Sequence, residues 1–253
     1  MKTSLVTGGA SGIGLEFVKL LLKDKYKVFI IDNSDKNLKN LKYNLDSSNY
    51  KSIKEDLSDI KSPEKIYNKL KNENIDILIN NAGFGTYGKF YETEWNIEKK
   101  MINLHVLNTT YLTKLFLKDM IKKNKGKILN ISSLAAFQPG PLMALYYATK
   151  AYILHFTEAI SNEIKDKNIT ISVLCPGQTS TGFQKYVSTK KNTIKFNTAS
   201  PVKVAKYGYN GLKKNVTVSI PGIFNKFLVN LNRILPRSWS TNIVRYIQEK
   251  NRK

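Results

Sequence analysis

The sequence predicts an α/β fold, a doubly wound parallel sheet of about seven strands with helices on both faces. Three observations predict it. Short, β-branched apolar runs alternate with longer segments whose apolar residues recur at helical spacing. Most of the strand-like runs are apolar at consecutive positions, the pattern of strands covered on both faces. A glycine-rich turn stands between the first such run and the first helical segment.

In chain order the expected strands are "SLVT" (4–7), "KVFII" (27–31), "KSIKE" (51–55), "DILIN" (76–80), "KILNIS" (127–132), "ISVLC" (171–175) and "VTVSI" (216–220). Most are too short and too β-branched for helices. The intervening helical patterns include "GLEFVKLLLKD", "IYNKLKN", "NLHVLNTTYLTKLFLKDM" and "AYILHFTEAISNEI". With 253 residues, 42% hydrophobic, and no internal repeat or Pro/Gly linker, residues 1–253 are expected to form one domain. The long irregular stretch 176–199 is expected to be a lid over a binding site.

Composition narrows the classes further. The single cysteine, Cys175, excludes an intrachain disulfide, and with two histidines no metal site is expected. Cys175 reads as a buried small hydrophobe, and His105 and His155 as packing or surface residues. An apolar strand starts almost at Met1, and no 18-residue apolar span follows, so the expected localisation is cytoplasmic. The net charge of +22 raises anionic partners. Nucleic acid is not the expected partner, because the lysines are scattered and accompany abundant asparagine, as on a solvated surface.

"TGGASGIG" (7–14) follows the first strand and opens the first helix. Gly8, Gly12 and Gly14 allow a tight turn and close approach of a pyrophosphate, with Ser11 and Ile13 beside it. The helix N-terminus offers N–H groups and a favourable dipole to the anion. No Gly-Lys-Ser/Thr follows, so phosphoryl transfer is unsupported. Asp32, 18 residues after Gly14, can accept hydrogen bonds from both ribose hydroxyls and would repel a 2′-phosphate. Ser11 and Asn33 bring no cation there, while Lys36 is a weaker counter-signal, so NAD(H) is favoured over NADP(H).

In "YYATK" (146–150), Tyr146 and Lys150 share a helix face, and an ammonium beside a phenol favours proton transfer near neutral pH. The same spacing starts at Tyr50, Tyr67, Tyr186, Tyr209 and Tyr246, so spacing alone decides nothing. Context does. Tyr146 alone follows a strand ending in "NISS", which lets Ser133 face it across the carboxyl end of the sheet. Tyr50 starts a strand, Tyr186 falls in the expected lid, and Tyr67, Tyr209 and Tyr246 read as lying on surface helices.

At these residues the chain resembles the short-chain dehydrogenase/reductase family nearly end to end. The matching pieces are "TGGASGIG", "ED" with "L" (55–57), "NNAG" (80–83), Asn103 in "MINLHV", "NISS", "YYATK" and "PGQTSTGF" (176–183). The resemblance implies a Rossmann-like fold and an oxidoreductase that moves a hydride between a nicotinamide cofactor and a carbonyl or secondary alcohol. It implies a catalytic group of Asn103, Ser133, Tyr146 and Lys150. Asp56 and Leu57 would lie against adenine. Asn81, Ala82 and Gly83 would line the cofactor channel, and Gly177, Thr179 and Thr181 would meet the nicotinamide end. It also implies homodimers or homotetramers built on helices 103–123 and 147–166. A branch sharing "NNAGFGTYG" commonly carries Ala-Arg where this chain has Asp32-Asn33, which argues against inheriting NADP from it. The alternative is a catalytically silent cofactor-binding scaffold of the same fold.

Phe137, Leu142, Met143, Phe183 and Tyr186 favour an apolar substrate. Residues 221–253 read as a C-terminal amphipathic extension. Its apolar residues Ile223, Phe224, Phe227, Leu228, Leu231, Ile234 and Leu235 form one stripe; Trp239, Ile243, Val244 and Ile247 form another after Pro236. Lys226 and all four arginines of the chain, Arg233, Arg237, Arg245 and Arg252, lie on or beside them. The stripes are expected to close the pocket or meet a second subunit, with a membrane surface as the other candidate.

Overall fold

A computed structural model describes residues 1–45, 49–183 and 198–252, with the side chains of 251 and 252 outside the description. Most of the expected lid, including Tyr186, lies outside the described residues, as does the Arg252 side chain. The strands are β1 (Thr3–Thr7), β2 (Lys27–Asp32), β3 (Tyr50–Lys54), β4 (Ile75–Asn80), β5 (Gly126–Ile131), β6 (Ile169–Leu174) and β7 (Val218–Ser219). They form one sheet in the order β3-β2-β1-β4-β5-β6-β7, every neighbouring pair parallel. The order reverses direction between β1 and β4, which opens a crevice at their carboxyl ends.

Helices α1 (Gly12–Lys23), α2 (Asp35–Asn44), α3 (Ser62–Leu70), α4 (Trp95–Ile102), α5 (Thr109–Lys123), α6 (Ala144–Glu163) and α7 (Pro201–Lys213) cover the sheet. Two helices follow, α8 (Ile223–Ile234) and α9 (Arg237–Arg252). Strand alternation divides the core. Val6, Ile30 and Ile79 join Phe17, Leu21 and Leu212 on one side, whereas Leu5, Ile31 and Leu78 join Ile66, Leu112 and Phe116 on the other. A strand buried on both faces must be apolar at consecutive positions, which is why these runs lack polar alternation.

Three local features differ from the expectation. "VTVSI" keeps only Val218–Ser219 as strand. The segment from Asn103 is not a uniform α-helix; Asn103–Asn108 form a π-helix between α4 and α5. Residues five apart in an α-helix point about 140° from one another. The wider π turn brings Asn103 and Asn108 to one side. There the Asn103 carboxamide donates to Ser58 O at 3.0 Å, and that of Asn108 to Leu57 O and Asp59 O. Tyr209 also departs from its surface assignment. It is buried on α7 and donates its hydroxyl to Asp24 Oδ2 at 2.8 Å.

Candidate active site

The turn between β1 and α1 is tied to the end of β4 by the side chains of Thr7 and Asn81. The Thr7 hydroxyl oxygen accepts from Asn81 N at 3.0 Å and Ala82 N at 3.1 Å. Asn81 Nδ2 donates to Thr7 O and Gly8 O. Gly8 has φ +61°, and a Cβ there would stand 2.9 Å from Ala82 Cα. Gly12, at φ +54°, faces the Thr181 methyl, so the 177–183 loop reaches the turn from the opposite wall. Gly14 lies beneath the turn, where a Cβ would come within 2.1 Å of Gly8 O. Ser11 precedes α1 without a side-chain capping bond, and α1 carries no acid in its first turn. Such a helix start suits an anion.

Asp32 ends β2, buried at the rim of the crevice. Its two carboxylate oxygens accept from Ala10 N at 3.1 Å and Ser34 N at 3.0 Å. Each carboxylate oxygen has a second lone pair, so these bonds leave acceptor capacity for a ligand. Asp56 accepts from Ser58 N at 2.9 Å, and Leu57 beside it is buried.

The end of β5 clasps α6. Ser132 Oγ donates to Lys150 O at 2.7 Å, while Lys150 Nζ donates to Ile131 O at 3.0 Å. Lys150 is 5% exposed, and burial lowers its pKa to about 8. Its Nζ lies 5.8 Å from the Tyr146 ring centroid. The Ser133 hydroxyl oxygen caps the following turn by accepting from Ala135 N at 3.1 Å, and Ser133 also faces the crevice. Phe183 sits 5.4 Å from Tyr146, ring to ring. Burial pushes the Cys175 thiol up to about 12, leaving it inert.

These pieces line a cavity of about 1060 Å³ that runs from Asp32 to Tyr146. Gly8, Ser11, Gly12, Ile13, Asp56, Leu57, Asn81, Ala82, Gly83, Ser133, Lys150, Gly177, Thr179 and Thr181 all line it. Two expected residues do not. Gly14 packs under the turn, and Asn103 sits outside the lining with its carboxamide on Ser58. The cavity has the volume for a dinucleotide, and the glycines make room where a backbone must approach it. Of the other Tyr-x-x-x-Lys tyrosines among the described residues, Tyr50, Tyr67, Tyr209 and Tyr246 lie outside the cavity.

Sequence reasoning missed several lining residues. Gln248 of α9 is buried and donates to Tyr147 OH at 2.8 Å. Asn232 of α8 donates to Gln138 Oε1 and accepts from Ser240 Oγ at 3.0 Å. Helix α9 therefore lines the pocket through Ile247 and Gln248, and α8 supports its wall through the Asn232 contact with Gln138; the two polar contacts leave no trace in apolar periodicity. His105, expected at the surface or in packing, lies buried against Tyr146 at a ring distance of 6.1 Å. His155 is exposed, 3.5 Å from Glu158.

A parallel sheet with a glycine turn at its switch point, and a cleft joining that turn to a tyrosine beside a buried lysine, defines a dinucleotide-dependent α/β enzyme. Comparison with known proteins is specific. Residues 2–192 match the family model described as short chain dehydrogenase. Over 254 residues the chain is 30% identical to the very-long-chain 3-oxoacyl-CoA reductase of Anas platyrhynchos, covering 95% of this chain and 78% of the relative. It is 32% identical over 193 residues to the 17-beta-hydroxysteroid dehydrogenase type 3 of Mus musculus, covering 74% and 63%. The solved structure described as "ElxO with NADP Bound" superposes with a TM-score of 0.74 at 28% identity, covering 87% of this chain and 96% of that one. The chain belongs to the short-chain dehydrogenase family. It is an oxidoreductase that transfers a hydride between a nicotinamide cofactor and a carbonyl or secondary alcohol of a small molecule.

Proposed function

We propose that the enzyme reduces or oxidises an apolar carbonyl–alcohol pair with NAD(H) favoured over NADP(H), using Tyr146 as the proton donor and acceptor. The observation that carries this reading is the placement of Tyr146, Lys150 and Ser133 in one cleft with the glycine turn. The bound nicotinamide supplies or accepts the hydride. Tyr146 gives its phenolic proton to the substrate oxygen, or takes it in the reverse direction. The Lys150 ammonium, 5.8 Å from the ring, favours the phenolate that remains. Ser133 hydrogen-bonds the substrate oxygen as charge develops. Asn103 serves the proton path to Lys150 from the start of the π-helix, at the end of α4. Gly8, Ser11, Gly12 and Ile13 hold the pyrophosphate, with Gly14 packed beneath; Asp56 and Leu57 hold adenine. Asn81, Ala82 and Gly83 form the channel, and Gly177, Thr179 and Thr181 the nicotinamide end.

The NAD(H) preference is supported by the surroundings of Asp32. Among the described lining residues the cations are Lys100 and Lys150, and no arginine is present to pair with a 2′-phosphate. An apolar substrate is supported by Leu134, Met143, Phe183 and Ile247 around the Tyr146 end, and by relatives whose names denote fatty-acyl and steroid substrates. The decisive assay screens apolar ketones and secondary alcohols with both cofactors at 340 nm. Cofactor binding without turnover on any of them would favour the silent-scaffold reading.

The same reading takes residues 1–253 as one catalytic domain, with 176–199 as its lid and 221–253 as a helical extension. The same reading keeps the cytoplasm as its location, and a homodimer or homotetramer is supported by Leu107, Tyr111 and Tyr152, large and exposed on the π-helix, α5 and α6. Peripheral contact with anionic membranes is supported by the outer face of α8 and α9. Val229, Ser240, Val244 and Gln248 face inward, whereas Phe227 and Trp239 remain 59% and 62% exposed beside Lys226, Arg233 and Arg237. Among the described residues no helix is long and apolar enough to cross a membrane. Salt-sensitive flotation with anionic vesicles that is lost on truncation after Ile220 would support that contact. A loss of solubility or activity on truncation, without vesicle binding, would assign the face to the pocket or a subunit interface.

A further inference from the structure

We propose that His105 is a positioning residue of this active site, an Nδ1-protonated imidazole that ties the loop after β4 to the turn of α6 bearing Tyr146 and Lys150. This rests on the reading of Tyr146 and Lys150 as the catalytic pair. His105 is 1% exposed, and both ring nitrogens have partners. Phe84 N donates to Nε2 at 3.3 Å, so Nε2 must carry a lone pair. Thr149 Oγ1 lies 2.9 Å from Nδ1 and gives its single proton to Tyr146 O at 2.9 Å. With Nε2 accepting, the neutral ring carries its proton on Nδ1, and Thr149 accepts that proton at its oxygen while donating its own to Tyr146 O. Burial and the nearby Lys150 charge both push the imidazole well below its ordinary pKa, in agreement with an uncharged ring.

The bonds form a directed chain: Phe84 N–H to His105, His105 to Thr149, and Thr149 to the backbone carbonyl of Tyr146. It joins the cofactor channel to the catalytic turn across 62 residues of sequence between Phe84 and Tyr146 (146 − 84). Gly83 packs against the same ring, where a Cβ would stand 2.9 Å from Nε2. An apolar packing residue would fill this space but could not fix the distance between the two segments. Small displacements at a reacting centre are expensive, about 10²-fold in rate for roughly 1 Å.

The test compares His105→Phe, Thr149→Val and Thr149→Ser with wild type. The readouts are kcat, fluorescence-measured Kd for NADH, and melting temperature. His105→Phe is expected to lower kcat about 10- to 100-fold and weaken NADH several-fold in folded enzyme. Thr149→Val should behave similarly, Thr149→Ser should restore activity because it keeps the hydroxyl, and the His105–Thr149 double variant should lose less than the product of the singles. Wild-type kcat and Kd in His105→Phe, with only the melting temperature changed, would overturn the proposal. Should His105→Phe not fold, equal kcat in Thr149→Val and Thr149→Ser would overturn it instead. Retained activity in Tyr146→Phe would sink the underlying catalytic reading, a separate outcome.

Discussion

The carboxylate of Asp32 accepts the backbone N–H of Ala10 at 3.1 Å, so the acid proposed to select the cofactor also secures the turn that would hold its phosphates. Its other oxygen accepts from Ser34 N, leaving the side chain buried between two backbone donors. Selectivity and loop order therefore share one residue.

Asp32→Ala is accordingly expected to weaken both cofactors, because two backbone N–H groups lose their acceptor at a cost of about 1–3 kcal/mol each where buried. Asp32→Asn keeps one oxygen acceptor and removes the charge. It should narrow the NADH-over-NADPH preference about tenfold with a smaller fall in melting temperature. Asp32→Ala with Asn33→Arg should move the preference to NADPH on a less stable background. Fluorescence titration of both cofactors, paired with thermal melts, checks all three. NADPH binding as tight as NADH in the wild type would refute the argument.

Tyr146→Phe should lower turnover by about two to four decades while NADH affinity stays near wild type, since only the proton donor is removed. The other tyrosines separate by environment. Tyr246→Phe should be neutral, because that ring is exposed on α9. Tyr209→Phe strips Asp24 of a buried hydroxyl donor, and should cost about 1 kcal/mol of stability without touching kcat. A dead Tyr209→Phe beside an active Tyr146→Phe would reverse the assignment.

Lys150 is charged at a cost to the fold. Burial brings its pKa from 10.5 to about 8, so below pH 8 both folded and unfolded chains carry the proton and the folded one bears the full penalty. Between pH 8 and about 10.5 the unfolded state binds more protons than the folded state, so this group's contribution to stability rises with pH. The shift corresponds to about 3 kcal/mol. Lys150→Met should thus be inactive yet more stable than wild type at pH 7, by about 1–3 kcal/mol after the bond to Ile131 O is lost. A melting temperature below wild type would mean that the hydrogen bond outweighs desolvation.

How far the sequence carried these conclusions depended on what each signal was made of. The central strands were legible because burial on both faces forces contiguous apolar runs, whereas β3 is a largely exposed edge strand; β1 to β6 all fall within two residues of their expected limits. The glycine turn was legible because Gly8 and Gly12 occupy positive φ, where side chains are strained. The π-helix at Asn103 was not, since Asn103 and Asn108 bond to carbonyls of residues 57–59, more than 40 positions away. Tyr209 was misplaced for the same reason, because its partner Asp24 lies 185 residues earlier. His105 looked like packing because its polar partners are a backbone amide and a threonine, neither of which leaves a motif.

Gly83 gives the sharpest steric test of the site. A Cβ there would stand 2.9 Å from His105 Nε2 and 3.4 Å from Lys150 Nζ. The first distance is too short for contact, and the imidazole cannot swing away without losing its bonds to Phe84 N and Thr149 Oγ1. In Gly83→Ala the loop itself must move, by a few tenths of an ångström or more. Overpacking of this kind costs about 1–3 kcal/mol, and the displaced loop lies on the cofactor channel. Gly83→Ala should therefore lose about 1–3 kcal/mol of stability and at least about tenfold in kcat. Adding His105→Ala empties the space that the methyl invades. The double variant should regain melting temperature over Gly83→Ala alone, while activity stays low because the tie to Thr149 is gone. Wild-type kinetics in Gly83→Ala would show that the loop yields freely, and that its distance from α6 is not what the reaction depends on.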